Sequence, residues 1–320
     1  MNGGVEKRIT LKDIPGIGNV TLEKLRRAGI ISVRQLALYN SDELYELTDI
    51  EPYRILKILR EARKSLGLKV IKGNELARFS KSSTRLTTGI KGLDNVLEGG
   101  LEPRAIYEFA GEYGTGKTQL CHQLAVTVQL SENKGGVNGA CFYVDTEGTF
   151  RSNRITEIAK RFGIDEDYVL QNIYTIRTVN VDHQIEVVRV DAPRLIEENN
   201  VKLIIIDSII SHFRAEYHGR DRLAIRQQRL NYMIDWLLRI CKLYDVYVVV
   251  TNQVMDVPVS WRGGQKIPVG GNIIAHGMTH RLFITNFKGN IKKVKVIDSP
   301  NLPLNAEAYF EIFEGGVRDA

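Results

Sequence analysis

The stretch Gly111-Glu112-Tyr113-Gly114-Thr115-Gly116-Lys117-Thr118 decides the fold. In front of it, Ala105-Ile106-Tyr107-Glu108-Phe109-Ala110 is an apolar run that reads as a strand, and behind it Gln119 to Leu130 has helical spacing. Glycines let the backbone wrap a polyphosphate closely, and N–H groups at the start of the helix face its negative charge. Lys117 can reach the terminal phosphates, and the Thr118 hydroxyl can ligate magnesium. A glycine-rich turn before a helix also arises by chance. Strand, G-x-x-x-x-G-K-[ST] and helix in that order is the context that makes it a nucleoside triphosphate site.

The 320 residues suffice for one large domain and a small one. With 43% hydrophobic and 26% charged residues the chain has a globular balance and ample core material. No apolar run approaches the ~20 residues that span a bilayer, so no membrane partner is expected. Residues Met1-Asn2-Gly3-Gly4-Val5-Glu6-Lys7-Arg8 lack the apolar core of a signal peptide. Cys121, Cys141 and Cys241 are scattered without a C-x-x-C pair, which suggests neither a zinc site nor a disulfide framework and fits a reducing intracellular compartment. A formal charge of +6 permits a polyanionic partner without requiring one.

From Arg85 onward strands and helices alternate, the signature of an α/β core with a mostly parallel, helix-covered sheet. Strands are expected at 140–145, 173–176, 203–207, 246–251, 281–285 and 293–297, and amphipathic helices at 155–162, 183–199 and 226–243. In open parallel sheets ligands sit at the carboxyl ends of the strands. The apolar run from Val201 closes on Asp207, placed there for a magnesium shell or, alternatively, as a helix cap before Ser208. Glu147 follows the strand ending in Val144-Asp145 and suits the general base for a water attacking the γ-phosphate. Gln253 follows Val248-Val249-Val250-Thr251-Asn252 as a polar group able to sense that phosphate. Singly, either could be an ordinary loop residue; their joint appearance at strand ends points to one site.

Three domain-scale pieces are expected: 1–66, a linker at 67–83, and the core at 84–320. In the first, Ile14-Pro15-Gly16-Ile17-Gly18 is a tight turn between Thr10-Leu11-Lys12-Asp13 and a helix carrying Leu22, Leu25 and Ala28 at helical spacing, with a basic helix over 55–65. A turn of this form resembles an all-α helix-hairpin-helix module, in which Gly16 and Gly18 free backbone N–H groups for a DNA phosphate; a helical bundle for protein contacts is the alternative. In the linker, Leu68-Lys69-Val70-Ile71-Lys72-Gly73 is apolar enough to add as a strand to an exposed sheet edge. Two core segments suit a polyanion. Phe213 to Arg222, leading into Arg226 and Arg229, mixes arginines with Tyr217 and Gly219; Met255 to Asn272 holds Trp261-Arg262-Gly263-Gly264-Gln265-Lys266. A solvated surface loop is the bland reading of each.

Taken together, Thr87-Thr88-Gly89, Gly111 to Gln119, Asp145 to Arg151, Asn252-Gln253-Val254 and Gly270 to His276 resemble the RadA recombinases of archaea and their eukaryotic relatives over nearly the whole chain. The resemblance implies a RecA-like P-loop ATPase core that assembles, as a helical filament or ring of identical subunits, on single-stranded DNA and exchanges strands with double-stranded DNA. It implies ATP and Mg2+, with a monovalent cation such as K+ beside Asp298. Gly111, Glu112, Tyr113, Gly114, Thr115, Gly116, Lys117, Thr118 and Gln119 would bind the nucleotide, with Arg154 stacked on adenine. Lys117, Glu147 and Gln253 would serve catalysis, and Thr118 and Asp207 the metal. Arg214, Arg220 and Arg226 match basic residues of a first DNA loop, while His276 and the segment Asp298 to Pro303 match groups that cover ATP from the neighbouring subunit.

Two departures stand out. The family's polymerisation motif, Phe-x-x-Ala, falls here on Val70-Ile71-Lys72-Gly73, which implies weaker or differently anchored assembly. The second DNA loop, with Trp261, has its own sequence. The expected function is a DNA-dependent ATPase and strand-exchange recombinase of recombinational repair, cytoplasmic if the source is archaeal. The alternative is a RadA-like paralogue that mediates recombination without exchanging strands; a phosphate-loop helicase is disfavoured by the helix-hairpin-helix turn and His276.

Overall fold

The structure, a computed structural model, describes residues 9–219, 221–256 and 266–320. Arg220, Trp261 and the first eight residues, all singled out above, lie outside the described residues. Two compact units result, Met1–Ser82 and Ser83–Ala320.

The first unit is helical. A 3-10 turn at Leu11–Asp13 precedes helices Asn19–Arg27, Val33–Leu38, Ser41–Thr48, Pro52–Ser65 and Gly73–Ser82. Leu22, Leu25, Leu36, Leu44, Ile55 and Ile58 are buried and form its core. Local chemistry sets the helix starts: Ser32 accepts from Gln35 N at 3.0 Å, and Asn40 and Glu43 exchange side-chain and backbone bonds in a capping box. The turn at Ile14 to Gly18 is pinned by buried Ile14 and Ile17, while Gly16 and Gly18 stay exposed. Gly16 has φ +96°, and a Cβ there would meet Ile58 Cγ2 at 3.2 Å, so glycine is required.

The segment 68–73, read as able to add as a strand to an exposed sheet edge, pairs with no described strand of its own chain. Residues 68–72 carry no regular element, and a helix runs over Gly73–Ser82 instead. Leu76 and Phe79 fall three residues apart on one helical face, with Glu75 in the first turn and Lys81 in the last to complement the helix dipole.

The second unit is built on strands β1 (Ile106–Gly111), β2 (Ala140–Asp145), β3 (Ile173–Arg177), β4 (Val201–Asp207), β5 (Tyr247–Asn252), β6 (Val254–Asp256), β7 (Lys266–Pro268), β8 (His280–Lys288), β9 (Ile291–Asp298), β10 (Glu307–Phe313) and β11 (Gly316–Asp319). Nine of these described strands make one sheet in the order β11-β10-β9-β8-β1-β5-β4-β2-β3. From β8 to β3 the neighbours are parallel, and β9, β10 and β11 extend the sheet antiparallel. Every residue of β1, β2 and β5 is buried, which explains their continuous apolar runs: helices cover both faces. This is an α/β core with a mostly parallel sheet, preceded in sequence by a small helical region.

Helix 226–243 extends to Leu223–Tyr244, and 155–162 to Ser152–Phe162. The helix expected over 183–199 is divided: Val181–Glu186, one π-helical turn at Val187–Asp191, then Ala192–Asn199. Pro193 has no N–H to give Arg189, so the ladder shifts register just before it. Within 255–272, β6 and β7 pair as a two-stranded ribbon and helix Gly271–Gly277 follows. At the far end of the sheet the Asp319 carboxylate accepts from Lys91 N at 2.9 Å and Gly92 N at 2.6 Å, closing the first turn of helix Lys91–Val96. No described helix is long and apolar enough to cross a membrane.

Candidate functional site

β1 delivers the chain to Gly111, and helix Lys117–Thr127 carries it away. Between them the backbone passes through positive φ at Gly114 and Gly116. A Cβ on Gly111 would stand 2.5 Å from Ile284 O, and one on Gly116 would stand 2.9 Å from Ile312 Cδ1, so the loop lies flat on its neighbours only as glycine. Buried Thr115 braces it by donating to Glu112 O at 2.8 Å. Lys117 Nζ donates to Gly111 O at 2.8 Å and Glu112 O at 2.6 Å. Burial pushes the Lys117 pKa down, and the charges of Asp207 and Glu147 oppose that.

The loop is one wall of a cleft of about 690 Å³. Gly111, Glu112, Tyr113, Gly114, Gly116, Lys117, Thr118 and Gln119 line it, and so do Glu147, Asp207 and Gln253 from the ends of three strands. Residues more than 130 positions apart in sequence thus share one cavity at the carboxyl edge of the sheet. Tyr113 is fully exposed at its lip.

Asp207 is 2% exposed. Its Oδ2 accepts from Thr118 Oγ1 at 2.8 Å and Tyr143 OH at 2.9 Å, and its Oδ1 from Thr251. Burial pushes the carboxyl upward, while the three donors favour its ionised form. Among the described residues no three His, Cys, Asp or Glu side chains cluster as a metal cage. A hydroxyl and one carboxylate beside a phosphate loop are instead the hard oxygen donors magnesium takes when phosphates and water complete its shell. The donor set fits that ion.

Glu147 is exposed to the cleft, and its Oε1 accepts from Ser208 Oγ at 2.9 Å, Gln253 Nε2 at 3.0 Å and Ser211 Oγ. Gln253 Oε1 accepts in turn from Arg214 Nη1 at 2.7 Å. Asp145, ending β2, accepts from Thr149 N at 3.0 Å and Phe150 N at 3.1 Å, which folds the segment carrying Glu147 back over the sheet edge.

Other expected residues stand outside the cleft lining. Arg154 bonds Gln119 Oε1 at 2.6 Å, Glu157, and the carbonyls of Phe313, Glu314 and Gly316, which ties it to the turn between β10 and β11. His276 lies in a separate groove with Asn272, Ile273, Asn231 and Tyr232. Asp298 and Pro303 are exposed, and the segment between them is held by buried His280: its ring joins Ser299 Oγ and Glu102 Oε1, each at 2.9 Å. Arg226 is half-buried on helix Leu223–Tyr244, and its Nε has no partner among the described residues.

Sequence reading missed Thr149, Arg151, Ser208, Thr251 and Lys266, all of which line the cleft, and Ser211 beside it. Thr149 and Arg151 sat in a quoted motif without a role, and Ser208 was visible only as the neighbour of Asp207. Lys266 was quoted only within a segment suited to a polyanion; its place on the phosphate loop, reaching from β7 to pair with Glu112, is a contact made by tertiary folding alone.

Two family models match. One described as a SAM-like helix-hairpin-helix tandem covers residues 9–64. One described as Rad51 covers residues 80–320. With them come DNA binding, ATP binding and a part in recombination and repair. The chain belongs to the Rad51 family of RecA-like recombinases, DNA-dependent ATPases of recombination.

Proposed function

We propose that the chain is a RadA-like recombinase that forms filaments on single-stranded DNA, hydrolyses ATP and exchanges strands with a homologous duplex. The observation that carries the reading is the convergence of Lys117, Thr118, Glu147, Asp207 and Gln253 on one cleft. The loop from Gly111 to Thr118 cradles the triphosphate through its N–H groups. On binding, Lys117 exchanges its two carbonyl partners for phosphate oxygens. Thr118 and Asp207 would hold magnesium, which neutralises charge developing on the phosphates. Glu147 Oε2, the carboxylate oxygen that carries no bond to Ser208, Ser211 or Gln253, takes the proton of the attacking water. Arg154 contacts the adenine from its place beside Gln119.

His276, Asp298 and Pro303 lie outside this cleft and serve that of the next subunit, with a monovalent cation at Asp298. DNA is held at three places: Arg214 and Arg226 of the core, Arg220, and the exposed backbone at Gly16 and Gly18. Residues 1–66 act as the DNA-binding domain, 67–83 as the linker that carries assembly, and 84–320 as the motor.

The test is electron microscopy with ATP and single-stranded DNA beside a strand-exchange assay. Helical filaments with joint-molecule formation support the reading; particles that stay monomeric refute it. One observation favours a second reading, a mediator without strand exchange. Val70, at the polymerisation position, is 99% exposed and offers a smaller anchor than Phe.

A further inference from the structure

The cleft and the basic segment are joined by one short helix. Ser211–Glu216 begins four residues after Asp207 and carries Ser211 and Arg214 three residues apart, on one face. Ser211 Oγ donates to Glu147 Oε1 and accepts from Gln253 Nε2 at 3.3 Å. Arg214, exposed, donates to Gln253 Oε1 at 2.7 Å. Gln253 Nε2 returns to Glu147 Oε1 at 3.0 Å. Both ends of the Gln253 amide and one oxygen of Glu147 are therefore gripped by a single turn of helix. With Ser208 included, Glu147 Oε1 receives three donors, more than its two lone pairs accommodate well, so that oxygen is closed to a water.

The helix is anchored on its other side. Phe213 is fully buried, His212 Nε2 is 3.0 Å from Thr178 Oγ1, and Glu216 Oε1 accepts from Val181 N at 2.6 Å. The buried ring fixes the middle of the helix, so Ser211 and Arg214 reach Gln253 from one anchored turn.

We propose that helix Ser211–Glu216 is the restraint through which nucleic acid governs hydrolysis, with Ser211 the positioning residue that holds Glu147 and Gln253 until a phosphate takes Arg214. A phosphate oxygen is a stronger partner for the guanidinium than a neutral amide. When Arg214 leaves, Gln253 Oε1 loses its donor, its amide is free to turn toward the nucleotide, and the Ser211 hydroxyl moves off Glu147. The carboxylate, released at Oε1, is then free to align Oε2 on the attacking water. The idea rests on the reading of Glu147 as the base and of Arg214 as a phosphate contact.

The experiment measures phosphate release by the full-length chain with ATP and magnesium, with and without single-stranded oligo-dT. In Ser211→Ala the DNA-free kcat rises about fivefold, the worth of one hydrogen bond, while the DNA-bound kcat and the KM for ATP hold, so the stimulation ratio falls by the same factor. Ser211→Thr keeps the hydroxyl and restores the wild-type ratio, which separates positioning from packing. If Ser211→Ala leaves the ratio unchanged, or lowers both rates together, the restraint is refuted. Glu147→Gln run alongside isolates the underlying reading: full activity there removes the base assignment, and with it the restraint. Wild-type hydrolysis indifferent to oligo-dT removes the Arg214 contact with the same result.

Discussion

A carboxylate that accepts a proton from water loses that ability as an amide of the same shape. Glu147→Gln should keep ATP affinity and lower kcat by about 10²- to 10⁴-fold; turnover near wild type would move the base elsewhere. A second residue speaks to pH. His122 is 1% exposed, neither ring nitrogen has a hydrogen-bond partner among the described residues, and the ring stacks on Tyr143 and meets Phe150 edge-on. Burial, with the nearby Arg154 charge, pushes its pKa down from 6.5 to about 4. The native state therefore refuses a proton that the unfolded chain accepts. Stability is full above pH 6.5 and falls as pH drops from there toward 4, by about 3 kcal/mol from this residue. His122→Phe keeps an aromatic ring in place and should flatten the pH dependence of urea unfolding in that window; an unchanged slope would assign it to other groups.

Elements show where sequence is informative. The buried parallel strands were legible because burial on both faces demands unbroken apolar runs, and the phosphate loop because its glycines are needed for close approach to Ile284 and Ile312. Asp207, Glu147 and Gln253 were legible from their place at strand ends. In the linker the helix Gly73–Ser82 went unread, although Leu76 and Phe79 sit at helical spacing just after residues 68–72, which carry no element within the chain. Ser211 and His280, and the contact of Lys266 with Glu112, were illegible because each acts through a partner from another element. The turn in the first unit carries its own test. Gly16→Ala forces a side chain into φ +96° against Ile58, and should cost about 1–2 kcal/mol in thermal unfolding. No shift in melting would mean that the turn adopts another conformation.

For the whole molecule, the proposed function rests on assembly. β3 ends the sheet as an unpaired edge among the described strands, and Val70 projects fully into solvent from another stretch of chain. Val70→Glu should shift ATP-bound protein on oligo-dT toward smaller species in sedimentation velocity; an unshifted profile would place the subunit anchor elsewhere. The carboxylate of Asp319 has a bearing on how this chain is made. It bonds backbone groups of Lys91 and Gly92, 228 and 227 residues earlier, so the core's first helix is finished by a residue of the core's last described strand. Such a closure cannot occur while the C-terminal strands are still inside the ribosome. The core must wait, incomplete, through most of its own synthesis, with β8, β9 and β10 the last to arrive before β11 locks the sheet.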